Sequence, residues 1–197
     1  IDSRHATTDD HALFIALVGP RHDGHRYLPA LYARGLRNFL VSAPVDAASM
    51  PDANIVRVPD TLKALHTIAA WHRSRFHIPV IGITGSNGKT IVKEWLFQML
   101  RGEEYIVRSP GSWNSQVGVP LSVWQMTPAH TLAIFEAGIS KPGEMATLEA
   151  IIRPTIGVFT HLGEAHDEGF KYLGNDAKAA EKLKLFAHAE VWVYPND

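Results

Sequence analysis

Gly82-Ile83-Thr84-Gly85-Ser86-Asn87-Gly88-Lys89-Thr90 decides how the rest of this chain reads. It follows an apolar run, Pro79-Val80-Ile81, and leads into Ile91-Val92-Lys93-Glu94-Trp95-Leu96-Phe97-Gln98-Met99-Leu100, whose apolar residues recur at helical spacing. Strand, glycine-rich turn and helix, in that order, make the setting a phosphate-binding loop requires. Glycines let successive backbone N–H groups converge on a phosphate, and the helix that follows adds its positive end. Lys89 then reaches the β- and γ-phosphates, and the Thr90 hydroxyl is a ligand for Mg²⁺. The general pattern G-x-x-x-x-G-K-[ST] is not met in full, because its first position falls on Ile83; the spacing here is Gly85-x-x-Gly88-Lys89-Thr90. The plain alternative is an ordinary turn between a core strand and a helix. Gly-Lys-Thr with both flanks in place favours an ATP or GTP site.

Downstream of this loop the pattern alternates. Strands are expected at 80–84, 105–108, 131–136, 155–160 and 191–194, and helices at 90–101, 118–126, 143–153 and 175–188. Several strands are almost continuously apolar, which suits a mostly parallel sheet covered on both faces. Upstream, strands are expected at 13–18, 38–42 and 55–58. Helices are expected at 26–34, with Pro29 tolerable in its first turn and Gly35 as its stop, and at 61–75, capped by Asp60. The switch from charge to apolarity over 73–79 places a domain boundary there. The fold class is therefore α/β: a small N-terminal α/β domain over 1–76, then a P-loop-type ATPase domain over 77–197.

Composition bounds the rest. The chain has 197 residues, 46% of them hydrophobic and 20% charged, as in a globular protein with a sizeable core. A formal net charge of −1 gives no support for a nucleic-acid partner. The absence of cysteine excludes disulfides and thiolate metal sites. No apolar run approaches membrane-spanning length, and Ile1-Asp2-Ser3-Arg4-His5 is not a signal peptide. The chain is expected to start inside a longer protein, since it lacks an initiator Met.

In an open α/β sheet, ligands bind at the carboxyl ends of the strands. Three further stretches sit there: the polar loop 112–120 with Asn114, the strand-end carboxylate Glu136 in Phe135-Glu136-Ala137-Gly138, and the loop 160–170 with His161 and His166. Oxygen-rich groups and a histidine beside a triphosphate suit Mg²⁺, which takes few protein ligands and many waters. Taken alone, Glu136 could be a simple surface acid. The spacing of His161 and His166 matches no zinc pattern, and His22 and His25 read as exposed loop.

These stretches carry a resemblance. Thr84-Gly85-Ser86-Asn87-Gly88-Lys89-Thr90, then Asn114 before Gly118-Val119-Pro120, then Glu136-Ala137-Gly138, then Gly163-Glu164-Ala165-His166 occur in the order of the Mur ligase family, the ATP-dependent amide ligases of peptidoglycan synthesis. Asp2-Ser3-Arg4, 13–17 and Asp23-Gly24-His25-Arg26-Tyr27 resemble the first domain of the branch that adds D-alanyl-D-alanine to UDP-N-acetylmuramoyl-tripeptide. The wording of 136–145 is most similar to the type fused to an alanine racemase.

The resemblance implies an acyl-phosphate ligase working in the cytoplasm with ATP and two Mg²⁺ ions. By position it implies Lys89 and Thr90 at the γ-phosphate and Mg²⁺, Glu136 and His166 as metal ligands, and Asn114 near the phosphates. It implies that Lys182 is carbamylated and holds the second ion, with Lys184 as the competing candidate. Ser3, Arg4, Asp23, Gly24 and His25 match the region that contacts the uridine nucleotide. A carbamate turns a cation into an anion able to bind Mg²⁺, which makes chemical sense beside a polyphosphate.

Two departures bear on this. The family's third domain, which binds the incoming dipeptide, has no counterpart here, and both the first and the central domain are expected to be incomplete. The fragment alone is therefore expected not to ligate. Three rivals stay open: another ligase of the family adding a different amino acid or extending folate, a P-loop kinase or regulatory NTPase, and a noncatalytic interaction domain that keeps the fold.

Overall fold

The structure, a computed structural model, describes Asp9 and residues 11–163 and 174–195. The chain divides into two compact units between Leu65 and His66.

In the first unit β1 (Leu13–Ile15) is followed by a hairpin of β2 (Val18–Gly19) and β3 (His22–Asp23). The strand expected over 13–18 is thus cut short. Leu17 N–H turns back to Ile15 O at 3.0 Å, and Gly24 N–H donates to Leu17 O at 2.8 Å, which draws the chain out of the sheet. A 3-10 turn (Gly24–Tyr27) leads into α1 (Leu28–Ala33), whose first turn holds Pro29 where a missing N–H does no harm. Then come β4 (Asn38–Val41) and β5 (Asn54–Arg57), paired in the parallel order β1-β4-β5. Phe14, Ala16, Leu28, Leu31, Leu36, Phe39 and Val41 form this unit's core.

Asp60 caps α2 (Thr61–Ser74), accepting from Leu62 N–H at 2.9 Å and Lys63 N–H at 3.0 Å. The division between the units falls inside α2, because Ala69 and Ala70 in its second half pack into the core of the second unit. Residue 76, where the sequence changes character, lies eleven positions beyond Leu65.

The second unit runs β6 (Val80–Thr84), α3 (Lys89–Leu100), β7 (Ile106–Arg108), α4 (Gly118–Val123), β8 (Leu132–Glu136), α5 (Glu144–Ile152), β9 (Ile156–Phe159), α6 (Asn175–Leu183) and β10 (Val191–Val193). All five strands are parallel, in the order β10-β9-β6-β8-β7. The first strand is therefore central. From β6 the chain crosses to the edge strand β7, returns with β8 into the place between them, and then builds outward on the other side through β9 and β10. The crevice of such a sheet opens at the carboxyl end of β6, where the direction of building reverses.

Apolar side chains alternate to the two faces of the strands. On one face α3 covers Ile81, Ile83, Leu132 and Ile134 with Val92, Leu96 and Leu100. On the other, α2, α4, α5 and the turn Lys184–Phe186 cover Val80, Val107, Ala133 and Phe135. Gly157 in β9 makes room for that turn, since a Cβ there would stand 2.5 Å from the Phe186 ring. Among the described residues no helix is long and apolar enough to cross a membrane.

Candidate functional site

The loop after β6 is built by its backbone. Gly85 adopts φ +146, a region L side chains rarely enter. A Cβ there would fall 2.1 Å from Thr160 Oγ1 and 3.0 Å from His161 N. Without one, the loop lies against the end of β9: Ser86 N–H donates to His161 O at 2.7 Å, and Thr160 Oγ1 donates to Asn87 O at 2.6 Å. Gly88, also left-handed at φ +81, starts α3, and no side chain caps that helix. The first amides of α3 have no partner within the helix, which is how a helix N-terminus receives an anion. The Ser86 hydroxyl is buried with no hydrogen-bond partner. Lys89 Nζ folds back onto the loop, donating to Gly85 O at 2.9 Å and Ser86 O at 3.2 Å.

Beside this loop, Glu136 ends β8 fully buried. Its Oε1 accepts from Thr90 Oγ1 at 3.3 Å and from Asn114 Nδ2 at 3.1 Å. Asn114 O in turn accepts from Gly138 N–H at 2.8 Å, which holds the polar loop against the end of β8. Glu136 Oε2 has no hydrogen bond and faces Lys93 Nζ at 3.7 Å. Threonine hydroxyl, carboxylate and amide oxygen are hard donors that fit Mg²⁺. No group of three or more His, Cys, Asp or Glu able to hold a metal occurs among the described residues. An ion at Thr90 and Glu136 would therefore take much of its coordination from phosphate oxygens and water.

A cavity of about 500 Å³ opens in front of these groups, lined among others by Ser86, Lys89, Asn114, Gln116, Ser140 and Lys182. Lys182 is 2% exposed and its Nζ lies 3.4 Å from Gly85 O, so α6 brings a second lysine to the loop after β6. Lys184 points elsewhere: it is exposed and pairs with Glu181. Glu181 Oε1 also accepts from Gly143 N–H at 2.7 Å and Met145 N–H at 3.4 Å, capping α5. Burial pushes the Glu181 carboxyl up, but the Lys184 ammonium and the two amides outweigh it and hold it below the usual glutamate value.

Residues 83–197 match the Mur ligase middle domain. The chain belongs to the Mur ligase family. A UDP-N-acetylmuramoyl-tripeptide–D-alanyl-D-alanine ligase of Synechocystis is 37% identical over 188 residues, covering 95% of this chain and 40% of that protein. The Escherichia coli ligase of the same name is 36% identical over 171 residues, covering 87% of this chain and 37% of its own length. The chain thus spans well under half of the curated relatives it matches. MurF from Acinetobacter baumannii superposes with TM-score 0.90 at 30% identity over 100% of this chain and 42% of that one. MurF ligase of Thermotoga maritima, solved in complex with ADP, shares the fold with TM-score 0.86 at 24% identity, over 100% of this chain and 45% of that one.

The Mur ligase chain gathers Ser86, Lys89, Asn114 and Lys182 around one cavity, with Thr90 and Glu136 joined to it through Asn114. Gly85, Asn87 and Gly88 shape the loop. In the first unit, Asp23, Gly24 and His25 form a turn of their own. His25 Nε2 accepts from Ser42 N–H at 3.0 Å and Ala43 N–H at 3.2 Å, so Nδ1 carries the proton and donates to Asp23 Oδ1 at 2.6 Å. Both ring nitrogens are committed to holding the turn against the end of β4. The His25 amide and ring hold the Asp23 carboxyl below its usual value. Ser3, Arg4 and His166 lie outside the described residues.

Sequence reasoning passed over Lys93, whose side chain is wholly enclosed and whose Nζ donates to Ser109 O at 2.8 Å and to Gly111 O. The signal was present, since Lys93 sits on the sheet-facing side of α3 between Val92 and Leu96.

Proposed function

We propose that this chain is the nucleotide-binding part of an ATP-dependent ligase that joins D-alanyl-D-alanine to UDP-N-acetylmuramoyl-tripeptide in the cytoplasm. The observation that carries the reading is the assembly at the carboxyl end of β6: an uncapped helix N-terminus and two lysine side chains at one cavity, with the buried carboxylate of Glu136 joined to it through Asn114. The names of the relatives support the choice of substrates. The wording of 136–145 supports a parent protein of the kind fused to an alanine racemase. The first unit would serve the uridine nucleotide through Ser3, Arg4 and the Asp23–His25 turn.

The chemistry then needs positioning and charge neutralisation more than a side-chain nucleophile. A carboxylate oxygen of the peptide attacks the γ-phosphorus, the bond to the β-phosphate oxygen breaks, and acyl phosphate and ADP result. The dipeptide amine adds to that carbonyl and loses a proton, and phosphate leaves. Lys89 would leave the Gly85 and Ser86 carbonyls for the β- and γ-phosphates. The first amides of α3 would hold the β-phosphate, and Asn114 would steady Glu136. Mg²⁺, held by Thr90, Glu136 and His166, with a second ion at a carbamate on Lys182, would neutralise the charge that otherwise keeps carboxylate and triphosphate apart.

The test is phosphate release from ATP by the full-length protein, with each substrate omitted in turn. Release that needs both substrates and is lost in Lys89→Ala supports this reading. Release with a different amine moves the chain to another branch of the family. Release indifferent to both leaves only an ATPase and overturns the substrate assignment.

A further inference from the structure

We infer that Lys93 is a positioning residue of the divalent-cation site, the fixed counter-charge behind Glu136. The inference rests on the reading of Thr90 and Glu136 as metal ligands.

The two oxygens of Glu136 face opposite ways. Oε1 meets Thr90 and Asn114, while Oε2, with no hydrogen bond, faces the Lys93 ammonium at 3.7 Å. A carboxylate oxygen buried this completely needs a polar partner in place of water, and the Lys93 ammonium is the one that faces it. Lys93 is equally enclosed, and its ammonium is surrounded by oxygen: Ser109 O at 2.8 Å, Gly111 O, and Glu94 Oε1 at 3.3 Å. Those carbonyls begin the loop that carries Asn114, and Ser109 Oγ accepts from Glu136 N–H at 3.2 Å. One ammonium therefore ties together both protein strands of the site, the end of β8 and the loop after β7.

The arrangement extends outward. Glu94 Oε2 pairs with Arg108 at 3.1 Å, and the Arg108 guanidinium lies 3.9 Å above the Phe97 ring. Charges alternate along the row Arg108, Glu94, Lys93, Glu136, so each is flanked by its opposite. A lysine needed only to fill space could be a methionine of similar length, which avoids burying a charge. Lys93 does not line the cavity, so its influence on a cation must pass through Glu136 and the Asn114 loop.

The full-length protein, as wild type, Lys93→Met and Lys93→Arg, is titrated with Mn²⁺ in the presence of ADP and followed by electron paramagnetic resonance. ADP binding is measured separately in EDTA, and thermal unfolding shows that each variant is folded. Lys93→Met is expected to raise the Mn²⁺ concentration for half-saturation by about tenfold or more, the range seen when a partner behind a metal ligand is removed. Its ADP binding in EDTA stays within about twofold of wild type, because the phosphate loop does not depend on Lys93. Lys93→Arg, which keeps the charge, falls between the two, and it carries the test if the methionine variant does not fold. An unchanged Mn²⁺ midpoint in both variants overturns the inference. So does an equal loss of Mn²⁺-dependent and metal-free ADP binding, which would mark Lys93 as a support of the loop as a whole. Wild-type protein that binds no ADP under either condition overturns the nucleotide-site reading and this inference with it.

Discussion

Replacing Gly85 by alanine tests the phosphate loop at the position where its geometry is least forgiving. The residue sits at φ +146, and the added Cβ would lie 2.1 Å from Thr160 Oγ1, well inside contact distance. A backbone held in such a region by an L residue costs about 1–3 kcal/mol. Thr160 would also have to swing away from Asn87 O, now 2.6 Å distant, at about 1 kcal/mol for the lost hydrogen bond. The loop avoids a total of about 3 kcal/mol by moving, and the amides at the start of α3 that are proposed to hold phosphate move with it. At about 1.4 kcal/mol per tenfold, nucleotide affinity should fall by roughly two decades. The assay is calorimetric titration of the full-length protein with ADP, beside chemical unfolding of the same variant. Gly102→Ala is the control: a Cβ there meets nothing within 4 Å, and stability and affinity should stay within about 0.5 kcal/mol of wild type. Gly85→Ala binding ADP within threefold of wild type would refute the argument that this φ and this contact set the loop.

The buried Arg73 donates to Ile152 O at 2.8 Å, Phe76 O at 2.7 Å and Arg153 O at 3.2 Å, closing the carboxyl end of α5. Burial lowers its pKa, but a guanidinium stays charged at any working pH, so Arg73→Met should cost about 3 kcal/mol by leaving three carbonyls unmet. A shift in the urea midpoint worth under 0.5 kcal/mol would sink this. Glu181 titrates below the usual glutamate value in the folded state, so its contribution is complete above about pH 4.3 and is lost as pH falls further. Glu181→Gln should therefore flatten the loss of stability on acidification below that pH; identical acid-unfolding profiles would be the contrary result. If Lys182 carries a carbamate, ligation by the full-length enzyme should fall in bicarbonate-free buffer and be lost in Lys182→Met. Lys184→Met, on an exposed side chain, should retain it; the reverse pattern would exchange the two assignments.

What the sequence determined by itself is local. The strand, glycine turn and helix over 80–100 were legible because period, glycine placement and Gly-Lys-Thr act between near neighbours. Glu136 and the loop with Asn114 were legible as polar groups at the carboxyl ends of apolar strands, whereas Lys182 was legible only through the order of family motifs, since nothing in its immediate surroundings distinguishes it from a solvated helix lysine. Tertiary structure decided the rest. The strand order, with β6 between β8 and β9, depends on which edge each returning strand meets, and every strand here is apolar enough to pair at either side. That Lys182 meets the loop after β6 while Lys184 pairs with Glu181 depends on which face of α6 and its following turn the fold turns inward. The first strand ended early because Leu17 and Gly24 found partners across a turn. The division of α2 followed from where Ala69 packs. Lys93, charged and on a core-facing position, was readable as an anomaly but not as an answer. Its partner Glu136 lies 43 residues away, and only folding brings an ammonium and a carboxylate that far apart in sequence into the same buried space.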